Sequence, residues 1–555
     1  MEKRTIIAIV LIFLIYWISS QYFWKPAADL TSKQQNQPIT NTISHPNEIT
    51  HPITDKTDID NNNIITNNEI KNNIILENDK LIISFTNSGA LINQITLKEF
   101  FLADKISPVQ LIPQNQKILQ LNIQNELIPY NDVAYQWEYV NGKTNQISFF
   151  LKDTNNNKVF QKVYTLTDNY NLEMDILGKN MASFDTYSIS LNSGINITEE
   201  SKSAVKDAKN TYKFITLINM EKPEELTLNK LNKGNQTYRG NVMWAAVRSK
   251  YFVMSLIPEE KISTYAINAG LSNPNTNNNF SINQTPGFSL DIRYNIGMNQ
   301  LSDKYTLYLG PVDYDNLLAY NNGMENITEL GHNWLKFLVK IFITYISFLY
   351  SLIPNYGLVI ILFALTLKIL LTPLTAKSLH ASKKMQKIQP MLKDIQQKYK
   401  NDVKKQQEEL SKLYKEHGVS PLGGCLPMLL QMPIFFALYP ILKNSIGFRQ
   451  AHFIGWITDL SEPDPYWILP ILMGVFMFIQ QKMMMTTQQD TSNMDEKQQA
   501  MAQSQKMMMY MMPPFMVFIF SGLPSGLVLY WTVFNVFTII HQYFINKKHN
   551  EKELA

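Results

Sequence analysis

A chain of 555 residues has room for two or more domains, and its net charge of +4 is too small to argue for a nucleic-acid partner. Its one cysteine, Cys425, excludes an intrachain disulfide. No P-loop, HExxH or clustered Cys/His set occurs, so no metal or cofactor is expected.

The first predicted element is the apolar run 5–24, preceded by Lys3 and Arg4. A signal peptide would carry a shorter apolar region ending at a small-residue site. This run ends in Gln21-Tyr22-Phe23-Trp24, the composition of an interfacial aromatic belt. Residues 1–24 therefore read as a retained transmembrane anchor with its N-terminus inside. Residues 25–75, rich in Asn, Thr and Gln, read as a flexible tether.

Period-two alternation recurs across 76–330. Leu172, Met174 and Ile176 alternate with polar residues, as do Phe288, Leu290, Ile292, Tyr294 and Ile296, and Tyr305, Leu307 and Leu309. Strands of this kind between Asn/Asp/Gly turns predict a large antiparallel β-sandwich. Following an N-in anchor, it lies outside the membrane. It shows no convergent catalytic set and reads as a binding module or scaffold rather than an enzyme.

Residues 331–354 are apolar enough to suggest a span, but Lys336 and Lys340 leave only 13 residues before Pro354. Those cover about 20 Å of helix against a hydrocarbon core of about 30 Å. The segment is read as an amphipathic helix in the outer interface.

Spans are predicted at 356–374, 425–442, 467–481, 507–520 and 526–545. Between the first two, a stretch from Lys377 to Glu416 holds eleven lysines against five acids, which places it in the cytoplasm. Met385, Ile388, Leu392, Ile395 and Tyr399, then Val403, Leu410 and Leu413, predict an antiparallel helical hairpin over 377–418. Its lysines form a solvated surface, or meet anionic lipids or a ribosome. Asp459, Glu462 and Asp464 fit the outside, and Lys547 and Lys548 keep the tail 547–555 inside. The fold class is thus a polytopic α-helical membrane protein with six transmembrane helices and a large outer β-sandwich.

Lys368 stands in an otherwise apolar span. A charge near the middle of such a helix costs roughly 2.5–3.5 kcal/mol on insertion scales. It either snorkels toward the cytoplasmic end, about 13 Å away at Lys377, or faces a polar cavity with a function.

Four runs in and around this helical region bear a resemblance. They are Pro421-Leu-Gly-Gly-Cys-Leu-Pro-Met-Leu-Leu-Gln-Met-Pro-Ile-Phe-Phe-Ala-Leu-Tyr439, Asp464-Pro-Tyr-Trp-Ile-Leu-Pro-Ile-Leu-Met-Gly474, Leu523-Pro-Ser-Gly-Leu-Val-Leu-Tyr530 and Asn355-Tyr-Gly357. In their chain order, with Asn355-Tyr-Gly357 first and opening the span that holds Lys368, they resemble the YidC family of membrane-protein insertases over 355–546. Trp244-Ala-Ala-Val-Arg-Ser-Lys-Tyr-Phe252 and the anchor fit the longer, Gram-negative form.

The resemblance implies a five-helix insertase core around a polar groove, open to the cytoplasm and lipid and closed to the outside. The family's groove cation falls on Lys368, where arginine is common; lysine keeps the charge and loses the planar fork. Gln431 and Trp531 match groove-lining positions, and Phe435, Met473 and Ile519 match the apolar contact surface. Ala364 stands where a threonine is frequent, and Thr366 lies nearly opposite. The loop 486–505 looks extended, and the methionine-rich run 507–512 suits either packing or a promiscuous apolar surface.

The implied partners are nascent membrane proteins, the Sec translocon, and a ribosome or targeting receptor at the basic hairpin. The implied location is the inner membrane, with both termini cytoplasmic. A transporter using Lys368 would show internal repeats, and none is seen. A carbohydrate-binding or carbohydrate-modifying outer domain would need a convergent carboxylate pair or His set.

Overall fold

The computed structural model describes residues 64–65 and 69–554, without 125–128, 182, 200–209, 260–264, 272–285, 332, 400–401, 419–425, 485–506 and 508–509. The expected anchor 5–24, most of the tether and the extended loop 486–505 lie outside the described residues.

The alternating segments become strands with their apolar side inward. Leu172, Met174 and Ile176 are buried in Asn171–Gly178, and Tyr305, Leu307 and Leu309 in Leu301–Pro311, which pair antiparallel with Met174 opposite Tyr305. These two strands sit centrally in a ten-stranded sheet that continues through Phe252–Pro258 and Val242–Arg248. A five-stranded sheet contains Phe184–Leu191 and Pro286–Met298, and a four-stranded sheet begins at Ile74–Glu77. All pairings are antiparallel, and one continuous hydrophobic core joins the three sheets.

Two details differ from the sequence reading. The third sheet was not foreseen, because alternation reports which face is buried but not which strands pair. The strands also start before residue 76: Ile64–Ile65 pairs with Gln146–Asp153, and Ile74 is buried.

The helices follow. Helix α1, Lys336–Leu352, buries Val339, Phe342, Ile346 and Leu349 against its neighbours, while Phe337, Ile341, Phe348 and Leu352 are exposed. Its outer side is therefore apolar as well, with Lys336 and Lys340 as its cations.

Helix α2, Tyr356–Lys398, runs 43 residues through Pro373 and Pro390. The expected span and the first arm of the hairpin are thus one helix. Its return arm is α3, Val403–Glu416, capped by Asp402, whose carboxylate accepts the Lys405 amide at 3.0 Å. Ile388 and Leu413 are buried between the arms, ringed by Met385, Leu392, Ile395 and Tyr414. Val403 was expected inside but is 63% exposed, since it opens the arm beside the turn.

Helix α4 is Leu426–Asn444, α5 Ile468–Met484, α6 Tyr510–Phe520 and α7 Ser525–Leu554. Among the described residues, Tyr356–Ala376 and Ser525–Ile545 are long and apolar enough to cross a membrane. Ile468–Met483 and Tyr510–Phe520 are apolar but shorter. The described residues Tyr510–Phe520 of α6 lie within the span expected over 507–520.

The loop between α4 and α5 is docked on the β domain. Arg449, almost fully buried, pairs with Glu199 at 2.7 Å and donates to the Phe101 carbonyl at 2.7 Å. The Tyr251 hydroxyl meets Ser461 Oγ at 3.0 Å, and Lys250 faces Glu462 at 3.6 Å. The same loop holds the start of α7: the Ser525 amide donates to the Glu462 carbonyl at 2.8 Å and the Gly526 amide to that of Leu460 at 2.9 Å.

Candidate functional site

Lys368 is turned into the helical bundle. It is 5% exposed, whereas the next two residues on α2, Ile369 and Leu370, are 65% and 70% exposed. Helical geometry separates these directions, because successive residues lie about 100° apart. The Lys368 ammonium donates to Thr538 Oγ1 on α7 at 2.8 Å and lies 5.0 Å from the Phe534 ring centroid. Among the described residues its polar partner is a hydroxyl, not a carboxylate. The side chain thus points at α7 instead of reaching along α2 toward the cytoplasmic lysines.

Gln431 on α4 donates through Nε2 to the Tyr530 hydroxyl at 2.9 Å, with both side chains buried. Trp531, next along α7, packs its ring 5.7 Å from Phe435 and 5.4 Å from Phe520; Phe435 and Phe520 are 6.2 Å apart. Phe435 and Trp531 therefore meet where α4, α6 and α7 converge, and Gln431 reaches α7 at Tyr530. Ile519 is half-buried at the edge of this cluster. Met473 is fully enclosed, and the exposed apolar residues of α5 are Ile468, Ile471, Leu472, Val475 and Ile479. Ala364 is buried, while Thr366 faces away and bonds to Tyr345 of α1 at 2.9 Å.

Sequence reading missed the polar stripe of α7. Trp531, Asn535, Thr538 and Gln542 recur at steps of three and four and so share one face. Asn535 and Gln542 are buried, and Asn535 Nδ2, Gln542 Oε1 and His541 Nδ1 have no hydrogen-bond partner among the described residues. Gln480 Oε1 on α5, which packs against α7, is in the same position. The helical spacing of these polar groups in an apolar span was the available signal. The arrangement offers a cation with hydrogen-bonding groups in a low-dielectric setting, which suits binding of acidic or polar chain.

Fold and site together define a membrane protein whose helical core carries a polar, cation-bearing interior beneath a β-rich domain. Residues 73–345 match the family model described as the YidC periplasmic domain, and 348–552 match that of the 60Kd inner membrane protein. The membrane protein insertase YidC of Geotalea daltonii is 31% identical over 99% of both chains. That of Chlorobaculum parvum is 31% identical over 87% of this chain and 83% of its own. A solved YidC insertase with its first transmembrane domain resolved covers 86% of this chain and 95% of its own, at 17% identity and a TM-score of 0.35. The chain belongs to the YidC family of membrane protein insertases. Its β domain is periplasmic and its helical core lies in the inner membrane.

Proposed function

We propose that this protein inserts nascent membrane proteins by receiving a client's polar tail beside Lys368 while the client's apolar segment moves along the adjacent helices. The observation that carries this reading is the buried Lys368 ammonium, held among the described residues by the Thr538 hydroxyl and no carboxylate, and so able to attract an acidic tail. Asn535, Gln542 and Gln431 supply hydrogen bonds to the tail. Phe435, Ile519 and Trp531, with the exposed residues of α5, offer the apolar contact, and Met473 packs beneath them. A tail held inside the core has less hydrocarbon to cross. For each negative charge moved outward, a negative-inside potential contributes about 2.3 kcal/mol per 100 mV. No nucleotide or bond chemistry is needed.

In this reading the chain has six spans with both termini cytoplasmic. The basic hairpin of α2 and α3 then faces the ribosome, a targeting receptor or anionic lipid, and the Sec translocon is a partner for larger clients. The test is insertion of a short single-span client with an acidic tail into vesicles containing only this purified chain. Wild type and Lys368→Arg are expected to insert it, and Lys368→Ala to lose at least about tenfold, the worth of one charge-assisted contact. Equal insertion by Lys368→Ala would reduce the charge to a structural role. Failure of the wild type alone would make the activity partner-dependent or remove the reading.

A further inference from the structure

Between the β domain and α1 lies a cavity of about 150 Å³, whose lining includes Asp313, Tyr314, Asp315, Ser347, Tyr356 and Asn444. That is roughly five water molecules' share of liquid volume. It is distinct from the Lys368 region: Tyr356 opens α2, and Lys368 lies roughly 18 Å further along that helix.

Three carboxylates and one cation, Arg248, line the cavity. Glu329 is compensated by Lys213 at 2.6 Å and Arg248 at 3.8 Å. Asp313 and Asp315 have no cationic partner among the described residues. One Asp313 oxygen accepts the Asn316 amide at 3.0 Å. Burial raises the Asp313 pKa and the Asp315 charge adds to the rise, against hydrogen bonds from the Asn316 and Asp315 amides that lower it. The two uncompensated carboxylates favour a cationic group in this cavity.

The rim supplies the rest of a lipid. Lys340 sits on α1 between the lining residues Val339 and Ile343, with its ammonium 5.7 Å from the Tyr314 ring centroid. Beside it, Phe337 and Ile341 are exposed and apolar. We propose that this cavity holds the headgroup of a phosphatidylethanolamine molecule of the outer leaflet. Its primary ammonium lies against Asp313 and Asp315, its phosphate at Lys340 and its acyl chains along α1. A primary ammonium keeps N–H donors for the carboxylates, which a choline headgroup lacks.

The proposal does not depend on insertion activity, and its test reads lipid directly. The full chain is purified from nanodiscs of mixed phosphatidylethanolamine, phosphatidylcholine and phosphatidylglycerol, and retained lipid is counted by native mass spectrometry. Wild type is expected to keep phosphatidylethanolamine at least about tenfold over the other two, and Asp313→Asn/Asp315→Asn to lose that preference. Ser347→Trp fills the cavity from an exposed lining position with both carboxylates intact and is expected to lose it too. Thermal unfolding in the same detergent checks that each variant folds, and Ser347→Trp decides the matter should the double variant not fold. Equal retention of the three lipids by wild type, or a preference unchanged in the folded variants, overturns the proposal.

Discussion

Glu329 shows how single residues join the parts of this molecule. Its carboxylate stands between Lys213 and Arg248, and Arg248 also donates to the carbonyls of Ile327 and Ser249. Burial alone would raise the Glu329 pKa, but the Arg248 and Lys213 charges outweigh it and hold it below the ordinary 4.5. A carboxyl with a depressed folded-state pKa adds stability above its unfolded value and loses it as pH falls through the folded one. Glu329→Gln is therefore expected to cost roughly 1–3 kcal/mol at neutral pH, because it leaves two cations facing each other. Thermal melts at a series of pH values should show the gap to wild type closing below pH 4.5; a gap independent of pH would refute this account. Lys368 was legible from sequence because a lone charge in an apolar span has few explanations. Its partner Thr538 was not, since one threonine in a distant helix carries no mark of what it faces.

At the scale of elements, the family-like motifs turn out to be joints. Asn355 caps α2 by accepting the Leu358 amide at 3.1 Å, and Tyr356 stacks on Tyr350 of α1 with centroids 4.0 Å apart. Any Cβ on Gly357 would overlap the Phe453 ring, so glycine there lets the outer loop approach α2. Asp464 caps α5, accepting the Leu469 amide at 2.7 Å, and Trp456 donates to it at 3.3 Å. The hairpin was legible from its three-four spacing. What spacing could not give was the unbroken passage of α2 through Pro373 and Pro390, which depends on packing against neighbouring helices. The span expected over 507–520, about 21 Å of helix against a hydrocarbon core of about 30 Å, leads to a prediction of its own. A helix well short of the hydrocarbon thickness is accommodated by local thinning of the bilayer. Adding one turn after Phe518 should lower client insertion several-fold while Phe435, Phe520 and Trp531 still pack; undiminished insertion would count against thinning as a contribution.

For the whole molecule, the docked outer loop decides whether the β domain and the core behave as one body. Arg449 is 3% exposed in its side chain and Glu199 is 17% exposed, so removing one partner strands the other. Arg449→Met is expected to cost roughly 3 kcal/mol, and Arg449→Met/Glu199→Gln to recover much of it. A thermal double-mutant cycle measures the coupling, and additive losses would show the pair to be idle. The outer β domain was legible in outline from its alternating strands. The docking was not, because Arg449 in sequence is one arginine in an ordinary loop, and burial between two distant segments leaves no local pattern. This contact also sets an order of events in the making of the chain. The β-domain residues of the docking face, Phe101, Glu199, Lys250 and Tyr251, are all translated before the loop 445–467 that meets them. The outer ends of α5 and α7 are thus the last-made parts of a joint whose other side precedes them in the chain.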